Sequence, residues 1–541
     1  MRGPLSRPGV WVGMMVLIIA ALLPASLARG GAAPAVRRGG ELVAVYRSGN
    51  IESLDPPSAS AGTDWRMAGL ILYNALYRHD SAGRLVPDIA EQPPRISPNG
   101  KIYTIPIRRG VLFHNGREVK AADVKYSLER QAHPSARSWG PSFAANIAGA
   151  RPVLEGRATT MSGIEVLDDY TVRITLDQPQ AAFPQILAMS INAIVPREEV
   201  ERWGQDFRLH PVGTGPFRLE RWTPGQEIIF VRNPRYFRQG TPHLDRIVYK
   251  LGVDPTVGLL RFERGEADYL ADGVAAQDVP RVRADPRLSP LVFIADNIYL
   301  SFLLMNTEAP PFNDVRVRRA MAMLVDRDRL VQVAGGLGIP ARGYIIPQMP
   351  CFDATFTGVP PYDPGQARAL LSEAGHAGGF SVNLDSSTTG SMPFSSEWQQ
   401  VLQQSLAAVG VRAELRRFTG GTLSRMLADG ASTFALNGWG ASFLDPVDHI
   451  GTLVVSDGAN ARRARYRNPE VDRLFLQAER TASAEVRCRY YRQINKMALD
   501  DMPIIPLVVI RTMHLRSPRI GQFVWHPIYN APIFEETALG R

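Results

Sequence analysis

Apolar and polar residues alternate over several short stretches in the first half of the chain. Tyr103, Ile105 and Ile107 alternate with Thr104, Pro106 and Arg108, which predicts a strand. Pro106 has no amide hydrogen for a neighbouring strand, so an edge position is expected. Asn99-Gly100 before it and Asn115-Gly116 after it are turn signals. Ala121 to Arg130 reads as a helix with Val124 and Leu128 one turn apart on its inner face. Ile164 and Val166, then Val172, Ile174 and Leu176, alternate around Asp168-Asp169 and predict a hairpin. Gly39 to Val45 opens the folded part.

Helical spacing is clearer in the second half. Asp363 precedes Pro364, and Gly375 follows Glu373-Ala374. An N-cap, a first-turn proline and a terminating glycine therefore bracket Ala367, Leu370 and Leu371. Glu397 to Val409 places Trp398, Val401, Leu402 and Leu406 on one face before Gly410. Val411, Ala413 and Leu415 then alternate with Arg412 and Glu414, giving helix followed by strand. Asn313 is placed to cap a helix carrying Ala320, Met321 and Leu324. Ile504 to Ile510 is apolar but short and contains Pro506, so it reads as a buried strand. Strands and helices mixed in this way predict α/β lobes, and no fixed-period repeat suggests a solenoid or propeller.

The first residues change the picture. Arg2 and Arg7 form a basic start, Val10 to Leu23 is apolar, and Ser26-Leu27-Ala28 supplies small residues for a cut. Residues 1–28 therefore read as a cleavable signal peptide and 29–39 as a disordered leader. No Cys lies near the cut, so there is no lipobox, and a periplasmic destination is expected. About 510 residues remain, past the size at which one core stops growing. The balance is basic, 61 Lys plus Arg against 52 Asp plus Glu, net +9. The charges are dispersed. Clusters such as Arg316 to Arg319 read as solvated helix faces, and no nucleic-acid partner is expected. The two cysteines, Cys351 and Cys488, can pair in an oxidising compartment, but sequence alone does not show that they meet.

Catalytic signals are absent. There is no Gly-x-Ser-x-Gly elbow, no His-Glu-x-x-His and no Gly-x-x-x-x-Gly-Lys loop. Gly213-Thr214-Gly215 leads into Pro216 and reads as a chain crossover. Asp448 with His449 lacks a marked nucleophile and reads as polar lobe surface. No catalytic residue, metal ligand or cofactor is assigned.

One ordered set of segments does carry information. Leu72-Tyr73-Asn74-Ala75-Leu76, Leu85 to Glu91, Gly110 to Gly116 and Ala122 to Ser127 come first. Val212 to Phe217, Arg232-Asn233-Pro234, Gly265 to Asp268, Pro311 to Ala320, Tyr362-Asp363-Pro364 and Tyr466 to Asp472 follow. The series resembles bacterial extracellular solute-binding protein family 5, the substrate-binding proteins of peptide and nickel ABC importers. One departure is Gln92-Pro93-Pro94, where the family usually has Trp.

The resemblance implies an α/β fold: a two-lobed periplasmic binding protein (cluster C type, type II) with an extra inserted domain. Domain I would be 40–75 plus 207–298 plus 511–541, domain II the insert 76–206, and domain III 299–510. A solute would be held in the cleft by hinge closure. The implied partners are a small-molecule or peptide ligand and an inner-membrane permease with its ATPase, and the implied state is a monomer.

The implied ligand-binding residues are Gly62, Thr63, Asp64 and Trp65 in a loop entering the cleft, and Gly438, Trp439, Ser442 and Asp445 after a Gly-Trp pair. Trp439 is the better ligand-facing aromatic, because Trp398 fits its own helix's apolar face. Asp445 precedes Pro446 and reads first as a turn or N-cap element. Peptide-binding relatives hold the peptide ammonium with an aspartate where this chain has Ser442. Dipeptide-binding relatives hold the ligand carboxylate with an arginine, yet Ser381 to Val411 contains no Arg or Lys. Both ionic clamps are missing, which leaves peptide-derived ligands, neutral oligosaccharides, opines and a metal chelate open. The alternative class is an exported hydrolase or chaperone.

Overall fold

A long pair of strands organises the chain. Val292–Met305 and Ile504–Leu515 run antiparallel along most of their lengths. The registers Asp296↔Arg511, Leu300↔Val509 and Phe302↔Pro506 do not run on from one another, so the ladder is broken twice. Such a break bends a ribbon locally and interrupts its hydrogen bonding. The far half of the pair lies inside a six-stranded sheet, between Gly338–Pro340 and Phe434–Gly440, with Ser381–Ser387 and Arg412–Phe418 beyond. The near end touches a five-stranded sheet through the bridge Tyr269↔Arg516.

A computed structural model describes residues 37–540 apart from 48, 50, 60–61, 137–142 and 389–393, and for 62–64 the backbone only. The signal segment 1–28 and the leader up to residue 36 lie outside the described residues. Among the described residues, no helix is long and apolar enough to cross a membrane.

The five-stranded sheet has the order Tyr269–Leu270, Glu41–Val45, Arg246–Lys250, Glu227–Arg232, Phe217–Thr223. Its first three strands are parallel and its last three form an antiparallel meander. A separate antiparallel sheet lies in the insert: Arg95–Ile96, Ile102–Pro106, Thr171–Thr175, Ile164–Asp168. Helix Ala121–Ala132 covers it, burying Val124 and Leu128 as the spacing predicts. Pro106 is not on an edge strand. Its strand is second in the sheet, but the two-residue neighbour pairs only with Tyr103 and Thr104, so Pro106 lies beyond its end.

The insert is pinned where the chain enters and leaves it. Ile194 N donates to Asn74 O at 3.0 Å, and Gly215 N to Leu72 O at 2.9 Å. A side chain at Gly213 or Gly215 would collide with the Leu72 carbonyl, which is why this crossing needs glycine. Arg130 of the insert pairs bidentately with Asp55, at 2.9 and 2.6 Å. Removing one partner of such a part-buried pair costs about 3–5 kcal/mol.

Capping follows the sequence closely. Asp363 accepts from Gln366 N at 2.8 Å and starts helix Pro364–Glu373. Helix Ser395–Ala407 buries Trp398, whose indole donates to Leu330 O at 2.9 Å. The cap of helix Val315–Met323 is Asp314, not Asn313, and accepts from Arg316 N at 2.8 Å. On that helix Arg318 is buried and donates to the carbonyls of Asp501 and Phe312, so this face is only partly solvated. Cys351 and Cys488 are bonded to each other, joining the segment after Met349 to helix Ala484–Asp501.

Candidate functional site

Strand Phe434–Gly440 ends beside the broken stretch of the long pair, with Gly440 opposite Tyr299. The Tyr299 ring lies over the strand, and any side chain at Gly438 would collide with it. Glycine at 438 therefore admits the phenol. The next residues carry the polar geometry. Trp439 Nε1 donates to Asp448 Oδ1 at 2.6 Å, and Ser442 N donates to Asp448 Oδ2 at 3.0 Å. One carboxylate thus bridges a strand end, a loop and the first turn of helix Pro446–Leu453. Trp439 and Ser442 stay half-buried, while Asp448 is buried. Burial pushes the Asp448 carboxyl up to about 6, against the pull of the Trp439 and Ser442 hydrogen bonds and with some repulsion from Asp445.

Asp445 is engaged differently. It caps the same helix by accepting from Val447 N at 3.0 Å, and both of its oxygens receive Arg487 Nη2 at 3.0 Å. Arg487 also comes within 3.8 Å of Glu479, whose carboxylate accepts from the Tyr491 hydroxyl at 2.7 Å. Burial pushes Glu479 up to about 7.

The other half of the predicted site lies on helix Gly62–Met67. The Trp65 ring is 4.3 Å from that of Tyr529 and tilted by 44°. Arg66 Nε donates to Tyr529 O at 2.8 Å, fixing the C-terminal segment against this helix. Gly62, Thr63 and Asp64 lie in the helix, and their side chains fall outside the described residues. Trp65 and Trp439 both pack at the margin of the same apolar core.

Residues 178–191 meet the segments around Phe443 and Glu479. Phe443 is buried with Ala182, Ile186, Met189 and Ile191 of the insert. Ala181 N donates to Glu479 O at 3.1 Å, and Arg480 to Gln178 Oε1 at 3.2 Å. Ser442 is thus followed directly by a residue packed against the segment 182–191.

The pattern of bacterial extracellular solute-binding proteins, family 5 (middle region), matches residues 84–461. The chain belongs to this family. A glutathione-binding protein of Salmonella choleraesuis is 30% identical over 491 residues, covering 89% of this chain and 91% of the relative. Di/tripeptide-binding protein 2 of Pseudomonas aeruginosa is 30% identical over 499 residues, covering 88% and 91%. Among solved structures, clavulanic acid biosynthesis oligopeptide binding protein 2 superposes with a TM-score of 0.85 at 24% identity, over 94% of this chain and 97% of that one. The agropinic acid complex of AgaA from A. tumefacien R10 gives 0.77 at 24% identity, over 93% and 99%. These establish the two-lobed α/β periplasmic binding protein fold with its extra domain. The protein is the solute-binding component of an ABC importer.

Within this solute-binding protein, the reading of Asp448 and His449 as polar lobe surface is corrected. Both are buried. His449 Nδ1 donates to Tyr344 O at 2.9 Å, and burial lowers its pKa to about 4, so the ring is neutral and faces no nucleophile. The first basic side chain after the cation-free stretch that forms an ion pair is Arg416. It binds the fully buried Asp385 at 2.7 Å, which accounts for its charge. Sequence reasoning missed Asp448, Tyr299, Tyr529 and Phe443. The only available signal was an acidic residue at the third position of a helix opened by Asp-Pro.

Proposed function

We propose that this protein captures a peptide-class solute, a short peptide or a glutathione-like molecule, by closing its lobes around it. The observation that carries this reading is the half-buried Trp439–Ser442 segment, anchored from behind by Asp448 and set at the seam of the lobes. An aromatic face and peptide groups in such a seam suit a polar, extended solute. The relatives named for glutathione and for di- and tripeptides support the class. The ligand-binding set is Gly62, Thr63, Asp64 and Trp65 on one side and Gly438, Trp439, Ser442 and Asp445 on the other. In it, Asp445 shapes the loop through its cap and its pairing with Arg487. Ser442 replaces a charge with a hydroxyl, which favours solutes whose amine is not held by an ion pair there.

Domain I comprises 40–75, 207–298 and 511–541; domain II 76–206; domain III 299–510. The broken registers near Asp296, Leu300 and Arg511 fall where the hinge would bend. Residues 1–28 direct export, the mature monomer works in the periplasm, and it delivers solute to an inner-membrane permease with its ATPase. Solute shifts the population toward the closed form in proportion to its preference for that form. No covalent step is part of this reading.

A thermal-shift panel of glutathione, di- and tripeptides, N-acetylated peptides, opines and neutral sugars tests it. A solute at 100 times its Kd stabilises by about 2.7 kcal/mol. Glutathione or short peptides are expected to raise Tm. Shifts confined to sugars or opines would overturn the ligand class, and steady turnover of a bound compound would overturn the binding role.

A further inference from the structure

Two residues of the recognition loop share one side-chain anchor. Trp439, through its indole N–H, and Ser442, through its backbone N–H, bond to the same Asp448 carboxylate, at 2.6 and 3.0 Å. Phe443, the next residue after Ser442, fills the apolar contact with the insert. Asp448 itself is buried and forms no ion pair among the described residues. We propose that Asp448 is a positioning residue for solute recognition, setting Trp439 and Ser442 toward the solute and Phe443 into the insert, so that one carboxylate joins ligand reading to lobe closure. This rests on the binding role above and goes beyond it, because Asp448 acts without touching solute.

The carboxylate form is the one that can do this. An ionised carboxylate is acceptor-only and receives both donors, whereas a protonated acid offers an O–H to one of them and loses that bond. Hydrogen bonds to a charged acceptor are roughly twice as strong as neutral ones. Burial places the transition near pH 6, within reach of experiment.

The groups facing Asp448 leave it the titrating member of the loop. On its own turn, Asp445 is paired with Arg487. Behind that pair, Glu479 is bonded to Tyr491 and is a second acid raised by burial, to about 7. His449 is neutral and bonded to Tyr344 O. From the neighbouring strand Tyr299 presents a phenol, held protonated by burial. The insert packs Ala182, Ile186, Met189 and Ile191 against Phe443.

Two readouts on the full-length mature chain test the proposal. The first needs no solute: tryptophan fluorescence is titrated from pH 4.5 to 7.5 in wild type, Asp448→Asn and Trp439→Phe. Wild type is expected to show a transition near pH 6 that both variants lack. A transition surviving in Asp448→Asn would overturn the proposal and assign it to Glu479. The second is calorimetry with glutathione and trialanine at pH 5 and 7.5. Wild-type affinity is expected to fall about tenfold toward pH 5, while Asp448→Asn binds about tenfold more weakly at pH 7.5 with a flat profile. Unchanged affinity in Asp448→Asn would also overturn it. If neither probe binds wild type, the peptide-class reading fails, and the fluorescence result alone decides the role of Asp448.

Discussion

Asp445 and Asp448 lie three residues apart at the start of one helix, and they are treated in opposite ways. Asp445 caps the helix by accepting from Val447 N, and both of its oxygens receive Arg487, so its charge has a cationic partner. Asp448 is equally buried, but its donors, the Trp439 indole N–H and Ser442 through its backbone N–H and its side chain, are all neutral. The first arrangement stabilises the lobe. The second tolerates a costly charge that, in the proposed role, fixes Trp439, Ser442 and Phe443. Buried carboxylates that lack a cation are therefore better guides to function here than the Asp-Pro pair, which any helix start can use.

The largest expected effect comes from breaking the compensated side. Arg487→Ala leaves Asp445 and Glu479 buried together without their shared cation. Losing one partner of a buried pair costs about 3–5 kcal/mol. Chemical denaturation should show a loss in that range. A loss below about 1 kcal/mol, the range of exposed pairs, would erase the contrast between the two acids.

Much of this fold was legible because its signals are local. Asp363-Pro364 with Gly375 bracketed a helix, and the alternation around Asp168-Asp169 gave the hairpin. Residues adjacent in sequence decide such features. Where two adjacent residues could serve, as with Asn313 and Asp314, the choice depended on chain geometry and went to Asp314. The paired long strands were only half visible. Ile504 to Ile510 read as a strand, but its continuation through Arg511 and Thr512 breaks the apolar run where the register slips. Arg318 read as solvated because its partners are carbonyls at Phe312 and Asp501, which carry no sequence signature.

The site was less legible for the same reason. Trp439, Ser442 and Asp445 were proposed through the family resemblance. Asp448 was set aside beside His449, because a loop must turn back on itself before position 448 meets positions 439 and 442. The bond between Cys351 and Cys488 spans 137 residues and likewise needed the fold.

The contact at Phe443 sharpens the comparison next. Phe443→Ala removes the ring that joins the loop to the insert, a contact on which the proposed closure would rely. Truncating a fully buried Phe costs about 3–5 kcal/mol, and a small seam that gains water should lose about half of that. Affinity for a bound peptide probe is expected to fall about 10- to 100-fold by calorimetry. Small-angle scattering of the solute-free variant should show a more open particle. Equal losses in affinity and in unfolding stability would make Phe443 an ordinary core residue.

The smallest effect is the most diagnostic, because its sign is opposite for stability and for binding. Burial raises the Asp448 carboxyl from an ordinary 3.8 to about 6. A group raised in this way contributes stability that is complete below its unfolded value and is lost as pH rises through the folded one. At pH 7 the ionised Asp448 therefore costs the fold stability, and wild type should gain stability on acidification from about pH 6 to pH 4 in a component that Asp448→Asn lacks. The amide keeps one acceptor and drops the charge, so its unfolding stability at pH 7 should equal or slightly exceed that of wild type while its solute affinity falls. Urea titrations of both proteins at pH 5 and pH 7 separate the outcomes. A variant weaker in both stability and binding would mark Asp448 as structural support only, and the two acids of this helix would then differ in strength of pairing but not in purpose.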